Sequence, residues 1–117
     1  MAVVAISPTE LTVGTASADL PITAGTAINA SNTNTITFPK ESKLLLVLNN
    51  TYSGSKSVTI SAGEGVAKGQ GSLVLALAQD DVKFLIVDQA RHKDFDGNIT
   101  LSYTASMTGY VQAFTLP

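Results

Sequence analysis

Leu44-Leu-Leu-Val-Leu48, closed at once by Asn49-Asn50, is the stretch on which the fold turns. Five consecutive apolar residues fit either a buried strand or the inside of a helix. The run is short for a helix and the two asparagines stop it. It therefore reads as a strand buried on both faces, hence central in its sheet or covered by a neighbouring layer.

Working outward, the same vocabulary recurs in Ser57-Val-Thr-Ile-Ser61, Leu73-Val-Leu-Ala-Leu77, Val82-Lys-Phe-Leu-Ile-Val87, Asn98-Ile-Thr-Leu-Ser-Tyr103 and Tyr110-Val-Gln-Ala-Phe-Thr115. Each run is rich in Val, Ile, Leu, Thr or an aromatic and is bounded by Gly, Asn, Asp or Ser, as strands are. Period-2 alternation places Val58 and Ile60 inward, and groups Leu73, Leu75 and Leu77, and also Ile99, Leu101 and Tyr103, on single faces. Thr35-Ile-Thr-Phe38 alternates as well, after turn material from Ala30 to Asn34. Asp19 to Ile22 reads as a bulged or edge strand, and 24–29 as a turn leading to another short one. Asn50 to Ser55 reads as a hairpin loop, Gln79-Asp-Asp81 as a turn, and Asp88 to Gly97 as a long loop or helical turn. The expectation is an all-β single domain, an antiparallel β-sandwich of eight to nine strands with jelly-roll or immunoglobulin-like topology. Residues 1–17 form an N-terminal arm and 18–117 the sandwich. Val3 to Ile6 could make a short strand in that arm, which Pro8 interrupts.

Composition narrows the chemistry. The 117 residues contain no Cys, which removes disulfides, thiolate metal sites and cysteine nucleophiles. Charged residues are only 14%, well below the usual quarter, and Thr, Ser, Asn and Gly take their place. With a net charge of −2 and seven scattered Lys and Arg, no basic footprint for nucleic acid exists. The start, Met1 to Pro8, lacks a basic n-region, so no Sec signal is expected. No run approaches the ~18 apolar residues of a spanning helix, so no membrane partner is expected either. The expected site of synthesis is a cytoplasm.

The candidate catalytic motifs dissolve on inspection. In Gly63 to Gly71 the lysine precedes Gly69 and a strand follows, whereas a phosphate-binding loop needs Gly-Lys-Ser/Thr opening a helix. Asp94-Phe-Asp-Gly97 lacks the third ligand pair and the closing Glu of a calcium loop, and fits a turn instead. His92, the single histidine, sits between Arg91 and Lys93, a cationic setting that disfavours its protonation. No Gly-x-Ser-x-Gly elbow provides it with a nucleophile. Asp80 and Asp81 are adjacent and would point to opposite faces of a strand. Tyr52, Tyr103, Tyr110 and Phe114 could line a carbohydrate platform, but seven aromatics in a chain without Trp belong mostly in the core or under loops. The Asn-x-Ser/Thr sequences at Asn29, Asn49 and Asn98 read as chance. No enzyme, cofactor or metal is expected.

A family resemblance enters through a specific series of residues. They run Asn49-Asn-Thr with its Ser/Gly loop, Val58-Thr-Ile-Ser-Ala-Gly63, a Gly-rich loop, Leu73-Val-Leu-Ala-Leu77, and Phe84-Leu-Ile-Val-Asp88-x-Ala-Arg91-x-Lys93-x-x-Asp96-Gly97-x-Ile99. Over about residues 20–117 this resembles the small decoration, or cement, proteins that coat tailed-bacteriophage capsids. The resemblance implies a β-sandwich with no enzymatic role, a structural virion protein on the outer capsid surface. It would stabilise the capsid by protein–protein interaction, bound in many copies to the major capsid protein and beside neighbouring copies of itself. The contact residues expected on that reading are Val3, Val4 and Ile6 in the arm, Tyr52, and Arg91, His92 and Lys93. The alternative is a non-catalytic adhesion or glycan-binding sandwich of a phage tail fibre or cell surface.

Overall fold

The computed structural model describes residues 3–17, 19–37, 43–62, 71–87 and 98–116. The Gly-rich stretch 63–70, residues 88–97 with Arg91, His92 and Lys93, for which a loop and an Asp94–Gly97 turn are expected, and Phe38 lie outside the described residues.

Ten strands occur among the described residues. They are β1 (Val3–Ile6), β2 (Thr9–Glu10), β3 (Thr26–Ala27), β4 (Thr33–Thr37), β5 (Lys43–Asn50), β6 (Lys56–Ile60), β7 (Leu73–Leu77), β8 (Val82–Val87), β9 (Asn98–Tyr103) and β10 (Gly109–Leu116). One sheet, here sheet A, has the order β1-β4-β9-β6-β7; in sheet B, β10 lies between β5 and the pair β2 and β3, and β8 follows β5.

Setting β1 and β2 aside, the neighbours are β3-β10-β5-β8 and β4-β9-β6-β7, all antiparallel. Successive strands alternate between sheets except at the β6–β7 hairpin, which is the jelly-roll arrangement. The immunoglobulin-like option is thereby closed. The sandwich is mixed rather than wholly antiparallel because the arm adds two parallel pairings, β1 on β4 and β2 on β10. The chain changes sheets at Ser7-Pro8, where proline cannot donate to either ladder. The arm thus seals one side of the sandwich, and β7 and β8 form the opposite side.

Alternation fills the space between the sheets. Ile36, Leu44, Leu46, Leu48, Val58, Ile60, Leu77, Ile99 and Leu101 are all fully buried, each removing ~1.5–3 kcal/mol of apolar surface from water. β5 is central and Val47, on its outer face, is buried too, which accounts for its unbroken apolar run. The segment Asp19 to Ile22 is not a strand; Pro21 leads into a 3₁₀ turn at Ile22–Ala24. Nor is Asn50 to Ser55 a hairpin, because β5 and β6 belong to different sheets and the loop arches between them.

Polar side chains fix the places where the sheets must be joined. Asn34 faces inward from β4; its Nδ2 donates to the Val4 carbonyl (3.1 Å), and its Oδ1 accepts from the Tyr103 hydroxyl. That pins the arm to the body. Burial pushes the Tyr103 hydroxyl well above the ordinary tyrosine value of 10.0, so the folded protein holds this proton more tightly than the unfolded chain. The stabilisation is therefore intact below the ordinary value and is lost as the pH climbs above it, with a limiting slope of about 1.4 kcal/mol per pH unit. Urea melts across the alkaline range should show this loss, and Tyr103→Phe should flatten it. The same variant should cost about 1–2 kcal/mol at neutral pH, since Asn34 Oδ1 loses its donor. An unchanged alkaline slope would show that Tyr103 is not the group responsible.

Candidate interaction surface

The two outer faces of the sandwich differ in chemistry. Sheet A turns outward Thr33, Thr35 and Thr37 from β4, Thr100 and Ser102 from β9, and Ser57 and Thr59 from β6. Thr35 lies opposite Thr100, and Thr59 opposite Ser102. Cross-strand hydroxyl pairs of this kind hold a ladder together without charge. Thr37 bonds Asn98 across the same ladder, and at the end of β6 the Ser57 N–H donates to Thr104 Oγ1 (3.1 Å).

Sheet B is apolar outside. Register gives three rows across β8, β5 and β10: Ile86–Leu45–Phe114, Phe84–Val47–Gln112 and Val82–Asn49–Tyr110. The β10 side is partly covered, because Gln112 Nε2 donates to the carbonyls of Pro21 (2.8 Å) and Leu20 (3.3 Å), drawing the 3₁₀ segment over it. The β8 side is bare. Phe84 is 69% exposed, Ile86 59% and Val82 45%, all on one face of one strand. Single exposed apolar residues are ordinary, but three large ones in register beside Leu45 make a patch.

The inner face of β8 carries Lys83, whose Nζ donates to the Ala76 carbonyl of β7 (2.8 Å), tying the two sheets together along that side. The β7–β8 turn is equally specific. Asp81 Oδ2 accepts from the Ala78 N–H (2.9 Å), and Asp80 takes a positive φ of 64°. The adjacent carboxylates Asp80 and Asp81 thus belong to a turn.

The residues expected to make contacts separate. Val3 is 68% exposed and Val4 39%, whereas Ile6 is part of the core. Tyr52 lies in the β5–β6 arch with Lys56 Nζ 4.5 Å above its ring, a cation–π contact. Val3 and Val4 sit on the β4 edge of sheet A, away from β8. Arg91, His92 and Lys93 lie outside the described residues. The four aromatics do not form one platform: Tyr103 points inward to Asn34, while Tyr110 and Phe114 are half-buried on sheet B. The β8 strip did not stand out in the sequence because its apolar run resembles that of β5. Lys83 inside that run was the available signal, since a charge within an apolar strand marks an edge.

Two of the depressions among the described residues are large enough to consider. One, about 100 Å3, lies under the arm between Ile6 and Gln112 and is smaller than typical ligand sites; the other, about 410 Å3, is a shallow dish between Ile28–Ser31 and Ser106–Thr108. Neither is lined by an ionisable side chain. Among the described residues no three His, Asp or Glu side chains converge. No family model matches the chain, and neither a curated protein nor a solved structure does.

Proposed function

We propose that this chain is a structural capsid-decoration protein that binds the major capsid protein of a tailed phage in many copies and performs no catalysis. The observation that carries the reading is the bare apolar strip Val82, Phe84 and Ile86 on a face that otherwise has little charge. An exposed patch of this kind on a small sandwich is the usual mark of a protein partner. The resemblance through Phe84 to Ile99 supplies the class of partner. A repeated lattice multiplies a modest contact through effective concentration, so a strip of this size is sufficient on a shell. Scarce charge also reduces repulsion between neighbouring copies.

The test is co-sedimentation with heads that lack the protein. Wild-type protein should bind saturably and raise the resistance of heads to heat. Phe84→Asp should weaken that binding at least ~10-fold, the loss of roughly 1.4 kcal/mol or more from an aromatic anchor. Recovery from tail fractions alone, or a saturable signal on a glycan array, would refute the proposal in favour of an adhesion module.

A further inference from the structure

We propose that two copies of this chain associate through β8, antiparallel about a two-fold axis at Phe84, so that their B sheets join into one continuous sheet. The inference goes beyond the capsid reading and does not depend on it.

The direction of the backbone groups carries the argument first. The Asn50 N–H donates to the Asp81 carbonyl (3.2 Å), and the Thr51 N–H to the Thr108 carbonyl (2.9 Å). Backbone groups of successive strand residues point to opposite sides, so Leu44, Leu46, Leu48 and Asn50 face β8, and the residues between them face β10. In the observed register those four lie opposite Val87, Leu85, Lys83 and Asp81. Val82, Phe84 and Ile86 are left with N–H and C=O turned to the open edge, where no strand among the described residues pairs with them. An edge of this length, flat and apolar, is a template for another strand.

The choice of a second copy rests on self-complementarity. Val82-x-Phe84-x-Ile86 is nearly symmetric about its centre. A two-fold axis at Phe84 sets Phe84 against its own counterpart, and Val82 against Ile86 in both directions. That register uses every outward backbone group of the three residues. Aromatic and β-branched cross-strand pairs are among the more favourable ones. It also sets Lys83 opposite Leu85 and avoids apposing the two lysines, as a register centred one residue earlier would do. Lys83, the residue that would ordinarily guard such an edge, is already engaged by the Ala76 carbonyl.

Area sets the strength. Were the whole 23 Å short dimension of the molecule covered along the ~20 Å of six strand residues, the contact would reach at most roughly 460 Å2 per copy and about 900 Å2 in all. That lies below the ~1,200–2,000 Å2 of stable specific pairs, so the dimer is weak and concentration-dependent. Dense placement on a surface would favour it further.

The absence of cysteine from the sequence allows a direct test on the purified full chain. Phe84→Cys and Ile86→Cys both alter exposed positions and should fold as the parent does, as circular dichroism would verify. Directly paired strand residues are ~5.5 Å apart at Cα, within disulfide range, whereas Ile86 and its own counterpart would be separated by roughly 13 Å or more. Under mild oxidation Phe84→Cys should form a covalent dimer at least ~10-fold faster than Ile86→Cys, a difference set by proximity. In sedimentation equilibrium, Phe84→Lys and Phe84→Glu should each be monomeric, and an equimolar mixture should regain the dimer. Equal cross-linking rates, faster cross-linking at Ile86, or a wild-type protein that stays monomeric to millimolar concentration would overturn the proposal.

Discussion

Gly109→Ala is expected to cost the folded state more of its stability than any surface substitution would. Gly109 opens β10 with φ +146°, a conformation that L side chains rarely adopt, and a Cβ there would lie 2.0 Å from the Asn49 carbonyl oxygen. The backbone strain alone is worth ~1–3 kcal/mol. The collision adds to it and cannot relax cheaply, because the obstructing atom is main chain of the central strand β5, which is held on both sides by β10 and β8. The same glycine lends its carbonyl to the Ile28 N–H (2.9 Å), so displacing it also loosens β3. A loss of more than about 3 kcal/mol is expected, a large part of the stability of a domain this size. Gly14→Ala is the control, since Gly14 also has positive φ (+77°) but nothing within 4 Å of its Cβ position. It should cost only about 1–2 kcal/mol. Urea unfolding of both variants by circular dichroism checks the pair; equal losses would mean that the contact with Asn49 contributes nothing.

The second large effect is expected at Asn50, the one fully buried polar residue among those described. Its Nδ2 donates to the carbonyls of Gly54 (3.0 Å) and Leu77 (3.0 Å), and its Oδ1 accepts from the Tyr52 N–H (3.0 Å). Its backbone is used as well, accepting from the Asp80 N–H (2.7 Å) and donating to Asp81. One side chain therefore shapes the β5–β6 arch and ties the end of sheet B to β7 of sheet A. Asn50→Leu keeps the branched outline, with bulkier methyl ends, but takes the side-chain partner from three backbone groups. The buried Leu77 carbonyl costs ~1–3 kcal/mol and the part-buried Gly54 and Tyr52 groups less, so a loss of about 2–4 kcal/mol is expected. Asn50→Asp should be comparably harmful, because a carboxylate cannot donate to Gly54 and Leu77. A thermal melt within a few degrees of wild type for Asn50→Leu would show that the arch is held by something else.

Asn50 also shows where the sequence stopped being informative. Asn49-Asn50 reads as the end of an apolar run, and it is; that Asn50 is also the hub of the arch depends on β7, whose nearest bonded residue lies 27 positions away. Asn34 reads as turn material because Asn favours turns, yet it sits inside β4, where Tyr103 and Val4 satisfy it. Strand positions were legible because a period of two survives in any context. Leu73–Leu77 and Val82–Val87 occupy the residues their letters suggest. Sheet membership was not legible, nor was the two-residue strand β2, whose pairing with β10 joins residues about a hundred positions apart. The candidate surface fell in the same gap. Leu44–Leu48 and Val82–Val87 are both mainly apolar runs, and Lys83 is the one letter that separates an edge strand from a central one; among the described residues the first is flanked by strands on both sides and the second on one.

The position of β10 bears on how the polypeptide is made. It is the common neighbour of β2, β3 and β5, and every one of those leaves the ribosome before it. Until Gly109–Leu116 emerges, Leu46 and Leu48 have β8 on one flank and water on the other. Sheet B therefore closes in a single late step rather than growing strand by strand. Distant pairings of this kind fold slowly. The most apolar strand of the nascent chain therefore stays incompletely covered until β10 is made, which is when chaperone capture would matter most.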